Sequence, residues 1–390
     1  MTPAARIAAA IEILDAWLTG DSVERLLTAW ARRSRFAGSK DRAAVRDHVF
    51  DALRCRRSFA ALGGADTGRG LMLGALRVAG QKPDSVFTGE GHAPLPLSAE
   101  ERGAGAAWDD LPENIACDCP EALAPLLRDS LGPDFQAVMS ALRMRAPVFL
   151  RVNLGRDTRA AAIESLAAEG IVADAHGLSP TALIVAEGAR RVRQSAAYTR
   201  GLIELQDAAS QAVADMMPLT PGMRVLDYCA GGGGKTLAMA GRVTAEFHAH
   251  DAAPGRMKDL SDRAARAGLA VRILGTDDLS ASAPFDLVLC DVPCSGSGAW
   301  RRSPEAKWRT TPAHIERLCG MQADILDHAS GLVAPGGVVG YATCSLIATE
   351  NHDQVAAFLG RNPGWRVEAE RRLTPLDGGD GFYAATLRRS

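Results

Sequence analysis

The stretch YCAGGGGKT, residues 228–236, follows the short apolar run RVLDYCA (224–230). Four glycines running into a lysine and a threonine make a loop whose backbone can approach a ligand closely. A nucleoside-triphosphate P-loop needs glycine, four residues, then GKT. Counting back from Gly234-Lys235-Thr236 puts that glycine at 229, where the chain has cysteine. The fingerprint GxGxxG can be laid on any glycine run and discriminates little. A third pattern fits more of the surroundings. Asp227 closes the strand before the loop, and Asp251 closes the next strand, twenty residues after Gly231. An acid at that place accepts hydrogen bonds from ribose hydroxyls, and the ligand need not carry a phosphate.

Outward from this loop the chain reads as alternating strands and helices. The strands are 224–230, EFHAHD ending at Asp251, AVRIL (270–274), FDLVLCD (285–291) and GVVGYAT (337–343). Helices are expected at 235–243, at 254–267 and from Thr310-Thr311-Pro312 onward, where threonine caps and proline tolerates the first helical position. WRVEAERR and GFYAATLRR close the chain as antiparallel strands. Alternation of this kind predicts a doubly wound α/β sheet over 206–390. Residues 1–80 have apolar positions at helical spacing (Ile7, Ala10, Ile11, Leu14, Trp17). Residues 81–120 are rich in Pro, Gly and Ala and read as a linker with short helical pieces. PVFLRVN (147–153), a helix at 157–169 and the extended pieces IVADAHG, ALIVAEG and GLIELQD predict a small α+β module over 121–205.

Composition sets bounds. The chain has 390 residues, 47% of them hydrophobic, enough for two or three domains with cores of their own. The net charge of -2 supplies no global basic field, so any nucleic-acid contact rests on local patches. The first residues read as an amphipathic helix rather than a signal peptide. The apolar run 328–349 is broken by Pro335-Gly336-Gly337 and reads as a helix end, a turn and a buried strand. Eight cysteines form no CxxC pair and lie at no zinc-finger spacing, so no metal is expected. Cys55, Cys117, Cys119 and Cys319 read as small buried hydrophobes.

The ligand that suits an acid-flanked glycine loop without phosphate logic is S-adenosylmethionine, with its adenosine, sulfonium and amino-acid end. Asp277 or Asp278, just beyond the third strand, is placed to meet the adenine amine. DVPCSGSG (291–298) follows the fourth strand, and ATCS places Cys344 at the end of the fifth. Carboxyl ends of such strands are where ligands react. Two cysteines there, beside a methyl donor, suggest thiol chemistry on the acceptor. Carbon 5 of a pyrimidine is a poor nucleophile until a thiolate adds at carbon 6, and this addition divides one hard step into easier ones. It needs a thiolate in an activating site. Amino-group methylases carry an Asn/Asp-Pro-Pro-aromatic loop at the fourth strand, and Asp-Val-Pro-Cys argues against them.

With RGLIELQDAASQ, VLDYCAGGGGKT, DVPCSGSGAWRRSPEAKW, ATCSLIATEN and DGFYAATL, residues 200–390 resemble the RsmB/Nop/Sun family of RNA cytosine-5 methyltransferases. The resemblance implies a class I methyltransferase (Rossmann-like) seven-stranded sheet. An RRM-like α+β RNA-binding module would precede it, and RFAGSKDRAAVRDHVFDALR (35–54) resembles an all-α NusB-like RNA-binding extension. It implies Cys344 as nucleophile, Cys294 as the thiol that assists product release, and Asp291 against the cytosine ring. The cofactor would be held by Asp227, Cys229, Ala230, Gly231, Gly233, Gly234, Lys235, Asp251, Arg256, Asp291 and either Asp277 or Asp278. The family loop reads Cys-Ala-Ala-Pro-Gly-Gly-Lys. Gly231-Gly232 replace Ala-Pro here, which predicts a floppier loop and lower cofactor affinity.

Arg301, Arg302, Lys307 and Arg309 surround Trp300 and Trp308, a mixture suited to phosphate contact and base stacking. Basic clusters at Arg32, Arg33, Arg35 and at Arg54, Arg56, Arg57 are open to two readings, a solvated helix face or RNA contact. The expected partner is RNA, ribosomal or transfer, met in the cytoplasm by a monomer with no membrane and no metal. Two rivals remain: an enzyme with the cysteine roles exchanged, and a non-catalytic RNA-binding assembly factor on the same fold.

Overall fold

The computed structural model describes all 390 residues, and the chain divides into two compact units. The first comprises Met1–Arg128, Gly132–Arg145 and Trp300–Arg309. Five helices open it: Pro3–Leu18, Val23–Arg33, Ser39–Arg54, Arg56–Gly63 and Gly68–Val78. Thr2 caps the first through its hydroxyl, and Pro3 takes the first helical position. Leu14, Trp17, Trp30, Val45, Val49, Leu53 and Leu71 form the core.

Residues 81–120 hold the short helical pieces expected of them, but they are packed rather than free. Phe87, Leu97, Cys117 and Cys119 are buried. Arginines satisfy the carbonyls of this irregular segment. Arg77 donates to Glu101 O and Ala104 O, each at 2.6 Å, and Arg69 donates to Leu95 O and Pro96 O. Helices Ala124–Leu131 and Phe135–Leu142 follow, and most of their residues group with this helical unit.

The second unit comprises Asp129–Leu131, Ala146–Ala299 and Thr310–Ser390. It opens with β1 (Val148–Val152), β2 (Val172–Ala175), β3 (Ala182–Glu187) and β4 (Ile203–Leu205). They form an antiparallel sheet in the order β2-β3-β1-β4, with the helix Arg159–Ala168 capped by Thr158.

The second sheet has seven strands: β5 (Arg224–Asp227), β6 (Glu246–Ala249), β7 (Arg272–Ile273), β8 (Phe285–Asp291), β9 (Val333–Thr343), β10 (Trp365–Leu373) and β11 (Phe382–Arg389). Their order is β10-β11-β9-β8-β5-β6-β7. β5 to β9 pair in parallel, whereas β11 runs antiparallel between β9 and β10. Central strands of such a sheet are covered on both faces and so read as continuous apolar runs, as β8 does with Leu287, Val288, Leu289 and Cys290 all buried. The edge strand β7 is shorter than AVRIL suggested, with both residues exposed. The strand order reverses between β5 and β8, which opens a crevice at their carboxyl ends. The helix Pro312–Gly331 starts where Thr311 accepts a bond from the His314 amide. No helix is long and apolar enough to cross a membrane.

Candidate active site

The glycine loop leaves β5 at that crevice. Gly231 and Gly233 take φ of +51° and +77°. A Cβ on Gly233 would also lie 2.1 Å from Leu260 Cδ1, so both conformation and space demand glycine there. The freedom expected of four glycines is restrained. The Gly231 amide donates to Asp251 Oδ2 at 2.9 Å, the Gly233 amide donates to Ala230 O at 2.8 Å, and Arg263 binds Gly232 O.

Asp251 sits at the end of β6, 4% exposed. Its other oxygen accepts from the Ala253 amide, and Arg256 lies 3.1 Å from Oδ2. The carboxylate thus retains lone pairs for further donors. Asp278 accepts from the Gly275 amide and caps its own turn, whereas Asp277 is exposed and makes no side-chain hydrogen bond. Cys229 is partly exposed, and its thiol is pushed well above its ordinary range, burial being the largest cause.

Asp227 ends β5, 1% exposed. Its Oδ2 accepts from Thr236 Oγ1 at 2.6 Å, and its Oδ1 has no partner. Burial raises its pKa to about 7, against the Thr236 hydrogen bond, and the nearby Asp291 charge adds to the rise. Lys235 Nζ donates to Asp291 Oδ2 at 2.6 Å and lies 4.8 Å over the Phe382 ring. Burial alone would favour the neutral amine. The charge and hydrogen bond of Asp291 outweigh it, and the Lys235 pKa ends above its ordinary value.

β8 and β9 are neighbours, so the segments that leave them run side by side. Cys294 Sγ lies 3.5 Å from Cys344 Sγ, and both residues are partly exposed. The hydrogen bond to Cys344, followed by burial, pushes the Cys294 thiol well above its ordinary range. Burial and the neighbouring sulfur thus favour the neutral Cys294 thiol, and either sulfur could donate across the 3.5 Å contact.

What holds the two segments together is Glu350, which the sequence reading did not single out. It is fully buried and accepts from the Ser295 amide (2.8 Å), Ser295 Oγ (2.5 Å), Ser345 Oγ (2.5 Å) and Gln322 Nε2 (3.1 Å). Gln322 also donates to Pro293 O at 2.9 Å. Ser297 Oγ accepts from the Leu346 amide, and the Gly298 amide donates to Cys344 O. A Cβ on Gly298 would stand 2.1 Å from Gly381 O. The serines and glycines of DVPCSGSG are thus structural, and they set the two sulfurs. The only signal in the sequence was the Glu-Asn after ATCS, and no local pattern says where that carboxylate points.

The expected basic and aromatic surface at 300–309 needs correction. Trp300 is fully buried, Lys307 is 1% exposed and Arg301 5%. Helix Ser39–Arg54 ends with unpaired carbonyls, as every helix does. Trp308 Nε1 donates to Leu53 O at 2.6 Å, and Lys307 Nζ donates to Arg54 O at 3.0 Å. Arg54 Nε donates to Arg301 O at 2.8 Å, and Arg309 binds Gly20 O and Asp21 O. This segment caps helices of the first unit, with cations at the negative end of a helix dipole. Arg302 is half-buried. Of the cysteines read as buried, Cys55, Cys117 and Cys119 are, while Cys319 is partly exposed and its thiol donates to Thr349 O.

The strand order 6-7-5-4-1-2-3, counted within this sheet, with a glycine loop after its first strand, defines the class I methyltransferase fold. The family described as 16S rRNA methyltransferase RsmB/F matches residues 214–388, and the ferredoxin-like domain of RsmF/B-like methyltransferases matches 119–192. The chain is 34% identical over 287 residues to ribosomal RNA small subunit methyltransferase B of Pseudomonas putida, covering 69% of this chain and 66% of that protein. It is 33% identical over 286 residues to the protein of that name from Xylella fastidiosa, covering 69% and 68%. The match thus spans about two thirds of the length of these relatives. Among solved structures, PH0851 superposes with a TM-score of 0.76 at 22% identity, covering 100% of this chain and 99% of that one. NSun6 from Pyrococcus horikoshii gives 0.62 at 18%, covering 69% and 98%. The chain belongs to the RsmB/F methyltransferase family.

The cofactor of this fold class is S-adenosylmethionine, and the residues present fit it. The unpartnered Oδ1 of Asp227 is a buried acceptor suited to an ammonium group, and Asp251 keeps lone pairs for hydroxyl donors. Asp227 is anionic only above about pH 7. Affinity for the cofactor, measured by calorimetry, is therefore expected to rise several-fold between pH 6 and 7.5. Asp227→Asn should flatten that profile, and Asp251→Ala should weaken binding at every pH. A flat profile for the unsubstituted chain would remove Asp227 from the site.

Proposed function

We propose that the chain methylates carbon 5 of a cytosine in RNA, with small-subunit ribosomal RNA as the first substrate to examine. Cys344 is the nucleophile and Cys294 serves product release. The observation that carries this reading is the pair of sulfurs 3.5 Å apart, beside the Lys235–Asp291 pair and the glycine loop. A second thiol beside the attacking one can assist its release. Two at this distance suit a reaction in which a sulfur must both attack and leave.

The Cys344 thiolate adds to carbon 6, forming an S–C bond and moving electron density to carbon 5. Asp291 contacts the ring, and the Lys235 ammonium balances the negative charge there. S-adenosylmethionine, when bound, supplies an electrophilic methyl group on a sulfonium. Carbon 5 would take that methyl carbon as its bond to the sulfonium sulfur breaks and leaves a neutral thioether. The carbon-5 proton would then depart to a base as the bond between Cys344 Sγ and carbon 6 breaks. The Cys294 S–H covers the sulfur as it leaves. Asp277 is the acid for the adenine amine, because Asp278 is committed to its own turn. The target base must leave its stack to reach Cys344.

The test is nucleoside mass spectrometry of small-subunit ribosomal RNA, free or in subunits, after incubation with chain and labelled cofactor. Label in 5-methylcytosine is the expected result. Label in another nucleoside overturns the carbon-5 chemistry, and cofactor binding without transfer to any RNA favours the assembly-factor reading.

A further inference from the structure

We infer that His250 is the positioning residue by which the chain selects adenine: its ring ties the end of β5 to the turn that carries the acid for the adenine amine. The inference rests on the reading of Asp277 as that acid and adds what holds Asp277 in place. The two histidines of EFHAHD differ. The His248 ring packs edge-on against Phe285, with centroids 5.3 Å apart, and its Nδ1 is buried without a partner. His250 is 1% exposed, and both of its ring nitrogens are engaged. Nδ1 lies 2.8 Å from Tyr228 O, and Nε2 lies 3.1 Å from Thr276 Oγ1. A carbonyl only accepts, so Nδ1 carries the hydrogen, and Nε2 of the neutral ring takes the hydrogen of the Thr276 hydroxyl.

The main chain of His250 is committed to the same neighbourhood. Its amide donates to Asp227 O at 2.9 Å, and its carbonyl accepts from the Ala230 amide at 2.8 Å. One residue is thus bonded to the start of the glycine loop and to the turn Thr276–Asp278, and it directly precedes Asp251. That turn is anchored at its two ends. The Leu274 amide donates to Ala249 O before it, and Leu279 is buried after it, while Thr276, Asp277 and Asp278 are exposed. The bond from the Gly275 amide to Asp278 lies within the turn and does not tie it to the sheet. The bond to His250 does. Successive side chains of a 3₁₀ turn stand about 120° apart, so a Thr276 pinned inward fixes the direction in which Asp277 leaves the chain. Direction matters because a hydrogen bond weakens steeply as it bends. A carboxylate on a loose turn would be shared with water instead of aimed at one amine.

The experiment measures, by calorimetry on the full-length chain, the affinity of S-adenosylhomocysteine and of its analogue with hydrogen in place of the adenine amine. The ratio of the two affinities reads the amine contact alone. A hydrogen bond to a charged group makes that ratio about tenfold or more in the unsubstituted chain. Asp277→Ala is expected to bring the two affinities together. Thr276→Val keeps the shape of an exposed side chain and removes its hydroxyl. It is expected to lower the ratio to about threefold or less, as a bent hydrogen bond would, and to leave affinity for the analogue unchanged. His250→Ala should lower the ratio likewise, and Thr276→Val decides alone if circular dichroism shows that His250→Ala does not fold. Equal affinities in the unsubstituted chain would remove Asp277 from the adenine, and the inference with it. A large ratio that is lost in Asp277→Ala but kept in Thr276→Val would overturn the inference and leave Asp277 standing.

Discussion

Cys344→Ala is expected to lower methyl transfer by a factor on the order of 10⁴ or more, at unchanged cofactor affinity. Removing a nucleophile forfeits the whole covalent route, not one contact within it. Cys344 follows the last residue of β9, is partly exposed and only borders the core around Ala342 and Phe382, so folding should survive the substitution. Cys294→Ala should also stop turnover, but at a later stage. The first variant leaves carbon 5 unactivated. The second still activates it and then fails to release the product. Single-turnover transfer from labelled cofactor, set beside multiple turnover, separates the two. The account expects one methyl group per Cys294→Ala chain and none for Cys344→Ala.

Glu350→Ala is expected to be the most damaging substitution outside the reacting groups. It would leave the Ser295 amide, two serine hydroxyls and the Gln322 amide without their shared acceptor in a buried place. Hydrogen bonds to a charged group contribute about 1.5–3 kcal/mol each, and they do not add fully. A local loss of roughly 3–5 kcal/mol follows from the buried donors left unsatisfied. The measurement is amide hydrogen exchange at Ser295 and Leu346, which should accelerate by roughly 10²-fold or more. Methyl transfer should fall with it, because the sulfurs lose their common anchor. Glu350→Gln keeps one acceptor and should do less harm. Exchange at Ser295 unchanged in Glu350→Ala would mean that the backbone alone sets the sulfurs.

Much of the catalytic unit is legible in the sequence because its information is local. A strand that ends in an acid, followed by glycines, announces a backbone turn that only glycine allows at Gly233. FDLVLCD has the bounds of β8, since a buried parallel strand is a continuous apolar run. Thr311-Pro312 marked the start of its helix for similar reasons. The failures are non-local. AWRRSPEAKW reads as a basic and aromatic surface, and nothing within it reveals that a helix end formed by Leu53 and Arg54 takes up its donors. Residues 81–120 lack periodicity, yet scattered residues such as Phe87 and Leu97 pack, and arginines elsewhere satisfy the carbonyls. Glu350 is ordinary in sequence and central in structure, because its partners come from three separate segments.

The most direct test of the account is to incubate Cys294→Ala and Cys344→Ala, each with RNA and S-adenosylmethionine, and separate the mixtures on a denaturing gel. The account predicts a protein–RNA adduct that survives denaturation with Cys294→Ala and is absent with Cys344→Ala. An adduct with Cys344→Ala and none with Cys294→Ala would exchange the roles of the two thiols and contradict it.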